Sequence, residues 1–325
     1  MESLFRTFTA MFYRCTFIAI GILCSCSNAE DDAIAPETPI CFGAAIADSR
    51  SVVEKAKDMN AFSVWAWRKH HTEPDRTEVF RNCMVSYDIY DGMWVYENPR
   101  SWYLNSEYNF YALYPDTITH ASYNSNGKLT IPCLDIRQAE EYNPVRVVDL
   151  MKASRYVDVG MNPPETVNLT FTHMLTNVNI DLKMHANNAG DKMEVTYVLL
   201  NGMNCVGTMT DDVWSLSSPS YFWDKLDTPQ LLSTTASSCF SNVLMIPQTI
   251  AEEQVTLYVV YSYQQSGSDT PMTKMLETYL PAGEWKAGDK INYTGTIQVD
   301  NSIVFDTPQV ESWGTEQVGG TIIIQ

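Results

Sequence analysis

The sequence predicts an all-β protein folded as two β-sandwich domains. Three observations carry that expectation. Short runs alternate apolar and smaller or polar residues with a period of two, as half-buried strands do. Turn residues punctuate the runs, and no long segment repeats with the 3.6-residue period of an amphipathic helix. The 325 residues also exceed what one ordinary sandwich needs, so two domains are expected. The expected parts are a leader at 1–25, an acidic tether at 26–37, an N-terminal sandwich at 38–163 and a C-terminal sandwich at 164–325.

In the leader, Arg6 and Arg14 precede the apolar run Thr16-Phe-Ile-Ala-Ile-Gly-Ile-Leu23, the layout of a secretory signal. The run is far shorter than the ~20 residues that span a bilayer. Met11-Phe-Tyr-Arg14 offers a second possible start with a more ordinary positive region. The run ends in Leu23-Cys24-Ser25-Cys26, which resembles a lipobox with a small residue just before the modified cysteine. Cleavage is expected between Ser25 and Cys26, with a diacylglycerol on the Cys26 sulfur and an acyl chain such as palmitate on its amine. Cys24 fits less well, because Leu23 would then stand where a small residue is needed. Several chains at ~0.8 kcal/mol per buried methylene make such an anchor effectively permanent. The tract Glu30-Asp31-Asp32 follows; it reads either as a surface-export signal or as a solvated tether.

Strands come next. Ile40, Phe42, Ala44 and Ile46 alternate with smaller residues and predict the first. Phe62-Ser-Val-Trp-Ala-Trp67 predicts the second. Met84–Tyr90 and Met93–Tyr96, joined by Asp91-Gly92, predict a hairpin, since Asp-Gly supplies the positive φ of a type I′ turn. Tyr108–Tyr114 is a strand stopped by Pro115-Asp116, and Asn126-Gly127 introduces another at Lys128–Cys133. Then the pattern fails. Arg137–Pro144 and Asp149–Ala153 read as irregular or briefly helical, and Asn162-Pro163-Pro164-Glu165 as a linker, because paired prolines break ladders. Strands resume at Thr166–His173, Val178–Met184, Met193–Leu200, Asn242–Ile246, Val255–Tyr263 and Tyr293–Val299, with a turn at Lys286–Lys290. Gly319-Gly320-Thr-Ile-Ile-Ile-Gln325 reads as a last strand.

Composition narrows the function. The formal net charge is −18, and loss of residues 1–25, with two Arg and one Glu, takes it to −19. Without a basic cluster, such a chain is a poor binder of nucleic acid. Beyond Cys26 lie Cys41, Cys83, Cys133, Cys205 and Cys239, an odd number without CxxC spacing. Buried free thiols are expected, as in Ile131-Pro-Cys-Leu134, and neither a disulfide framework nor a metal site. The motifs GxSxG, GxGxxG, HExxH and the phosphate-binding loop are all missing, so no catalytic residue, cofactor or metal ligand is expected. His70-His71 are neighbours and would point to opposite faces of a strand. His173 alternates with Leu169 and Phe171 and reads as a satisfied, partly buried histidine. The carboxylates form no recognisable acid–base pair. Trp65, Trp67, Trp94 and Trp102 concentrate in the first half; they read as core, or else as a row that stacks on sugar rings.

The order of several segments resembles the fimbrillin family of cell-surface lipoproteins and pilus subunits of Gram-negative anaerobes. The segments are Pro39-Ile-Cys-Phe-Gly-Ala, Ala61-Phe-Ser-Val-Trp-Ala-Trp67, Trp102 with Tyr108-Asn-Phe-Tyr-Ala-Leu-Tyr-Pro115, Asp149-Leu-Met-Lys-Ala, Val167-Asn-Leu-Thr-Phe-Thr-His-Met-Leu175, and Trp313 with Gly319-Gly-Thr-Ile-Ile-Ile324. The resemblance implies two tandem transthyretin-like β-sandwich domains with Greek-key-type connections. It implies an outer-membrane lipoprotein, exposed at the cell surface or built into a fimbrium, and not an enzyme. It further implies maturation by a trypsin-like protease, with cleavage between Arg50 and Ser51. Loss of the strand carrying Ile40, Phe42, Ala44 and Ile46 would then open a groove for a strand of another subunit. The implied partners are other fimbrial subunits or further copies of the chain, a host protein or glycan receptor, and the membrane through its lipid. Since Thr321–Ile324 reads as closing the second sandwich, a tip or anchor subunit fits as well as a stalk subunit. The alternative function is a monomeric surface lipoprotein that binds glycans through exposed aromatics.

Overall fold

The computed structural model describes residues 38–47, 56–137 and 149–312. These residues fold almost wholly as strands, as the alternation predicts. The first is β1, Phe42–Ile46. After a single 3-10 turn at Ala56–Met59 come β2, Ala61–His70, β3, Arg76–Asp88, β4, Met93–Tyr96, and β5, Ser106–Tyr114. The chain then leaves for a short excursion, β6, Ser122–Tyr123, and β7, Leu129–Asp135. It returns as β8, Met151–Val159, and β9, Val167–His173. Strands β1-β4-β3-β2-β5-β8-β9 close into a barrel in that order.

Alternation decides what fills the barrel. Phe62, Val64 and Ala66 of β2 point inward with Tyr108, Phe110 and Ala112 of β5 and Val167, Leu169 and Phe171 of β9. The intervening residues Trp65, Trp67 and Leu113 point outward, yet they are buried too, because a second core lies against them.

That second core belongs to β10, Thr176–Met184, and the strands after it. They are β11, Lys192–Thr210, β12, Val213–Leu231, β13, Ser237–Met245, β14, Gln248–Ile250, and β15, Thr256–Gln264. Then come β16, Met272–Tyr279, β17, Gly283–Trp285, β18, Asp289–Ile297, β19, Ile303–Phe305, and β20, Gln309–Ser312. One sheet runs β13-β10-β18-β19, with β20 also on β18; the other runs β16-β15-β11-β7-β6, with β12 on β11. Val178, Ile180 and Leu182 from the first sheet meet Val195, Val198 and Val259 from the second in one apolar core.

Several local expectations change. Asp149–Ala153 is neither irregular nor helical: Asp149 and Leu150 lead into β8, whose Met151 and Ala153 are buried. The alternation was broken by Arg155, a charged residue at the register position opposite the inward Phe110. The hairpin at Asp91-Gly92 exists, but not as a two-residue type I′ turn. Asp88 pairs with Met93, leaving a four-residue loop in which only Gly92 has positive φ, at 68°. The Asp88 carboxylate accepts the N–H groups of Tyr90 and Asp91 at 2.8 and 3.3 Å. The pair of positive φ values that defines type I′ occurs instead at Asp211 and Asp212, 51° and 68°, between the paired Thr210 and Val213. Pro163 and Pro164 lie between β8 and β9, both barrel strands. The chain crosses between the two bodies at the β6–β7 excursion and at Met174–Leu175.

Candidate functional site

Strand β1 is the site the sequence singles out, and its seat in the barrel can be built residue by residue. It lies between β9 and β4. Against β9 it runs parallel over five positions, from Phe42 opposite Val167 to Ile46 opposite Phe171. Against β4 the register holds at a single position, Phe42 opposite Trp94. The ladder is therefore one-sided.

Side chains supply the rest of the hold. Phe42 is buried and stacks edge-on against Phe80 at 5.5 Å, Tyr96 at 5.5 Å and Phe110 at 6.0 Å. Ile40, just ahead of the strand, is 1 % exposed. Its N–H donates to the Arg100 carbonyl at 2.7 Å, and its carbonyl accepts the Tyr96 hydroxyl at 2.8 Å. Ala44 and Ile46 are only partly buried and pack on the rim of the same core. Gly43 is fixed by a close approach, since a Cβ there would stand 2.5 Å from Asn168 Oδ1 on β9. The strand thus has a deep anchor at Ile40 and Phe42 and a shallow end at Ile46. Burial pushes the Tyr96 phenol up, so it remains a donor to Ile40. Neither Tyr96 nor Asn168 was singled out by sequence reading; each touches β1 from a distant segment, which no local pattern reveals.

Cys26, Ser25, Arg50 and Ser51 lie outside the described residues, as do Trp313 and Gly319–Gln325. In chain order Arg50 and Ser51 stand between β1 and β2.

Of the aromatic residues offered as a sugar-stacking row, Trp65, Trp67 and Trp102 are core, and Trp94 is half-buried against it. Trp65 and Trp67 are 3 % and 8 % exposed, Trp102 packs on Tyr108 at 4.9 Å, and Trp94 packs on Phe62 at 4.8 Å. The reason is the double burial of β2 and the packing of Trp102 into the barrel core, which removes Trp102 as a glycan platform. His70 bonds Thr72 at 2.8 Å and His71 bonds Asp158 at 2.9 Å, so the neighbours part as expected. His173 is buried and holds Asp149 at 2.8 Å through Nδ1. Cys205 and Cys239 are buried, and burial pushes both thiols up to about 12. Cys133 is exposed, contrary to the apolar look of its segment, because Ile131 and Leu134 both turn inward across it. Among the described residues no cluster of His, Cys, Asp and Glu is arranged to hold a metal ion.

Residues 49–313 match the family described as fimbrillin-like. A fimbrial protein from Bacteroides vulgatus has a crystal structure similar to this one, with a TM-score of 0.64 and 18 % identity, covering 85 % of this chain and 99 % of that one. A candidate cell adhesion protein from Bacteroides ovatus aligns with a TM-score of 0.49 and 16 % identity over 87 % of this chain and 100 % of that one. No curated protein matches the chain.

Proposed function

The chain belongs to the fimbrillin-like family, and on that premise we propose that it is a lipid-anchored structural or accessory subunit, tip or anchor, of a surface pilus, assembled by strand exchange and serving adhesion. The observation that carries this reading is the seat of β1. Five ladder positions on one side and one on the other, with Phe42 as the plug, leave β1 with a single ladder position on its β4 side.

The steps follow from that seat. Hydrolysis of the Arg50–Ser51 peptide bond severs β1 from β2. The covalent link to the lipid on Cys26 is lost with it. Departure of β1 uncovers the backbone edge of β9, the side of β4 at Trp94, and the pocket among Phe80, Tyr96 and Phe110. An unpaired edge beside an apolar pocket accepts a strand from another chain, with main-chain bonds giving affinity and the pocket giving register. Uncut, the same chain stays a tethered surface subunit, which is the anchor version of the role.

The test uses the full precursor and an arginine-specific protease. Cleavage after Arg50 should release the β1 peptide and produce SDS-resistant ladders, and Arg50→Ala should block both. Clean cleavage at Arg50 without ladders would sink the stalk version and leave the accessory one. Separately, Cys26→Ser should abolish incorporation of labelled palmitate; labelling that persists would remove the lipid anchor.

A further inference from the structure

The end of the second body remote from the Met174–Leu175 link carries a recess of about 230 Å³. Strand β10 rises away from that link over nine residues, on the order of 30 Å at ~3.3 Å per residue. Three connections meet where it ends: the one after β10, with a 3-10 turn at Ala186–Asn188, the one between β15 and β16, and the one between β18 and β19. Their side chains are unusually rich in carboxamides: Asn187, Asn188, Gln265, Gln298 and Asn301 all line the recess.

The walls are held in place before any ligand arrives. The Tyr263 hydroxyl donates to Asp191 Oδ2 at 2.8 Å, and the Ser266 N–H donates to Asp191 Oδ1 at 2.9 Å. Both carboxylate oxygens are thus engaged in bracing one connection against another. The Tyr261 hydroxyl donates to the Asn301 carboxamide oxygen, which braces the third. Lys274 lies over the Tyr263 ring at 3.9 Å. The Asn187 N–H donates to His185 Nδ1 at 3.1 Å and fixes the 3-10 turn.

Chemistry then selects the ligand. The lining holds one acid and one base, Asp191 and Lys274, so it is neutral in a chain of net charge −18. An anion gains nothing there, and a wholly apolar molecule would strand the amides. A carboxamide carries an acceptor and two donors side by side, the complement of neighbouring hydroxyls on a ring; Asn301 Oδ1 and Gln298 Nε2 already bond Tyr261 and the Thr296 carbonyl, and Asn187 and Gln265 are the pair the ligand would use. The volume lies below the ~300–1,000 Å³ of drug-sized sites, which limits the occupant to one ring. We propose that this recess binds a single neutral sugar, the terminal residue of a glycan. The inference gives the adhesive part of the proposed function a site, and it is independent of strand exchange in the barrel.

Saturation-transfer NMR on the full chain tests it, with methyl glycosides of glucose, galactose, mannose and N-acetylglucosamine, and N-acetylneuraminic acid as the charged comparator. At least one neutral glycoside should bind, and bind better than the acid. Asn187→Ala with Gln265→Ala should weaken that binding roughly tenfold or more while the melting temperature stays unchanged. Binding by none of the neutral glycosides, preference for the acid, or binding unaffected by the double variant would each overturn the proposal. Ladder formation after arginine-specific cleavage, measured on the same preparation, reports on the assembly reading alone, so the two can fail separately.

Discussion

Single residues show how burial reassigns chemistry. A tryptophan looks the same in sequence whether it stacks on a ligand or on a core. Trp102 is 5 % exposed, with Tyr108 and Phe110 at 4.9 and 5.8 Å, so Trp102→Ala should act as a cavity mutation. It should cost about 3–5 kcal/mol in urea unfolding, whereas Tyr90→Ala, at a site 92 % exposed, should fall within about ±0.5 kcal/mol. The buried pair of Asp149 and His173 makes a second case. The alternation around His173 was legible in the sequence; its partner was not, since Asp149 lies 24 positions away at the entry to another strand. Asp149→Ala leaves a buried ring nitrogen without its carboxylate, and about 1–3 kcal/mol of stability should disappear. Equal stability of variant and parent in urea would show that the pair contributes nothing net.

Among elements, those with an apolar stripe and a matching turn residue were readable, and those with polar stripes were not. Strands β9 and β10 alternate cleanly, and β2 and β5 carry dense aromatic and apolar runs. Strand β12 was missed because Ser217-Ser218-Pro219-Ser220 interrupts its alternation, with Ser218 at a positive φ of 57°, and its partner β11 hid a type I′ turn behind Asp211-Asp212 where glycine is the usual signal. That turn also ties the two bodies together. Asp212 reaches Lys128 at 3.2 Å and Lys152 of the barrel at 3.3 Å, and its N–H donates to the Leu129 carbonyl at 3.1 Å. Burial raises the Asp212 carboxyl, but the two lysines and a backbone hydrogen bond at Leu129 together outweigh it and hold it below the ordinary range. A carboxylate lowered in this way contributes stability above its unfolded pKa and loses it as the pH falls through its folded one. Asp212→Asn should therefore be less stable than the parent at neutral pH by about 0.5–1 kcal/mol, with the gap closing below about pH 4. A gap that stays constant down to pH 2 would assign the cost to the turn and not to the ion pairs. Strand β1 was legible from its alternation alone, but its parallel pairing with β9 was not, because direction depends on a partner more than a hundred residues away. Phe42→Ala removes the plug and should cost about 3–5 kcal/mol, seen as a lower urea midpoint.

At the scale of the whole molecule, two cores were foreseeable from length, but their assignment to the chain was not. Prolines at 163 and 164 mark a connection inside the barrel, while the passage at Met174–Leu175 runs through apolar residues and carries no breaker signal. Charge, by contrast, is a property of composition and needs no topology. A copy cut after Arg50 has lost six acidic and three basic residues and carries −15, so two copies repel before any strand can seat, over a range of ~30 Å at 0.01 M salt and ~8 Å at 0.15 M. Once seated, a strand is held by main-chain bonds and an apolar pocket, which salt leaves largely intact. Repulsion should therefore tax the encounter and not the product. Protease-triggered ladders should form roughly tenfold faster, or more, at 0.15 M salt than at 0.01 M, and should resist dilution back into low salt. A partner subunit of opposite charge would reverse the first effect, with assembly slowing as salt rises. The sign of the salt dependence, measured by light scattering after cleavage, thus distinguishes a chain that joins its own copies from one that caps or anchors a different subunit.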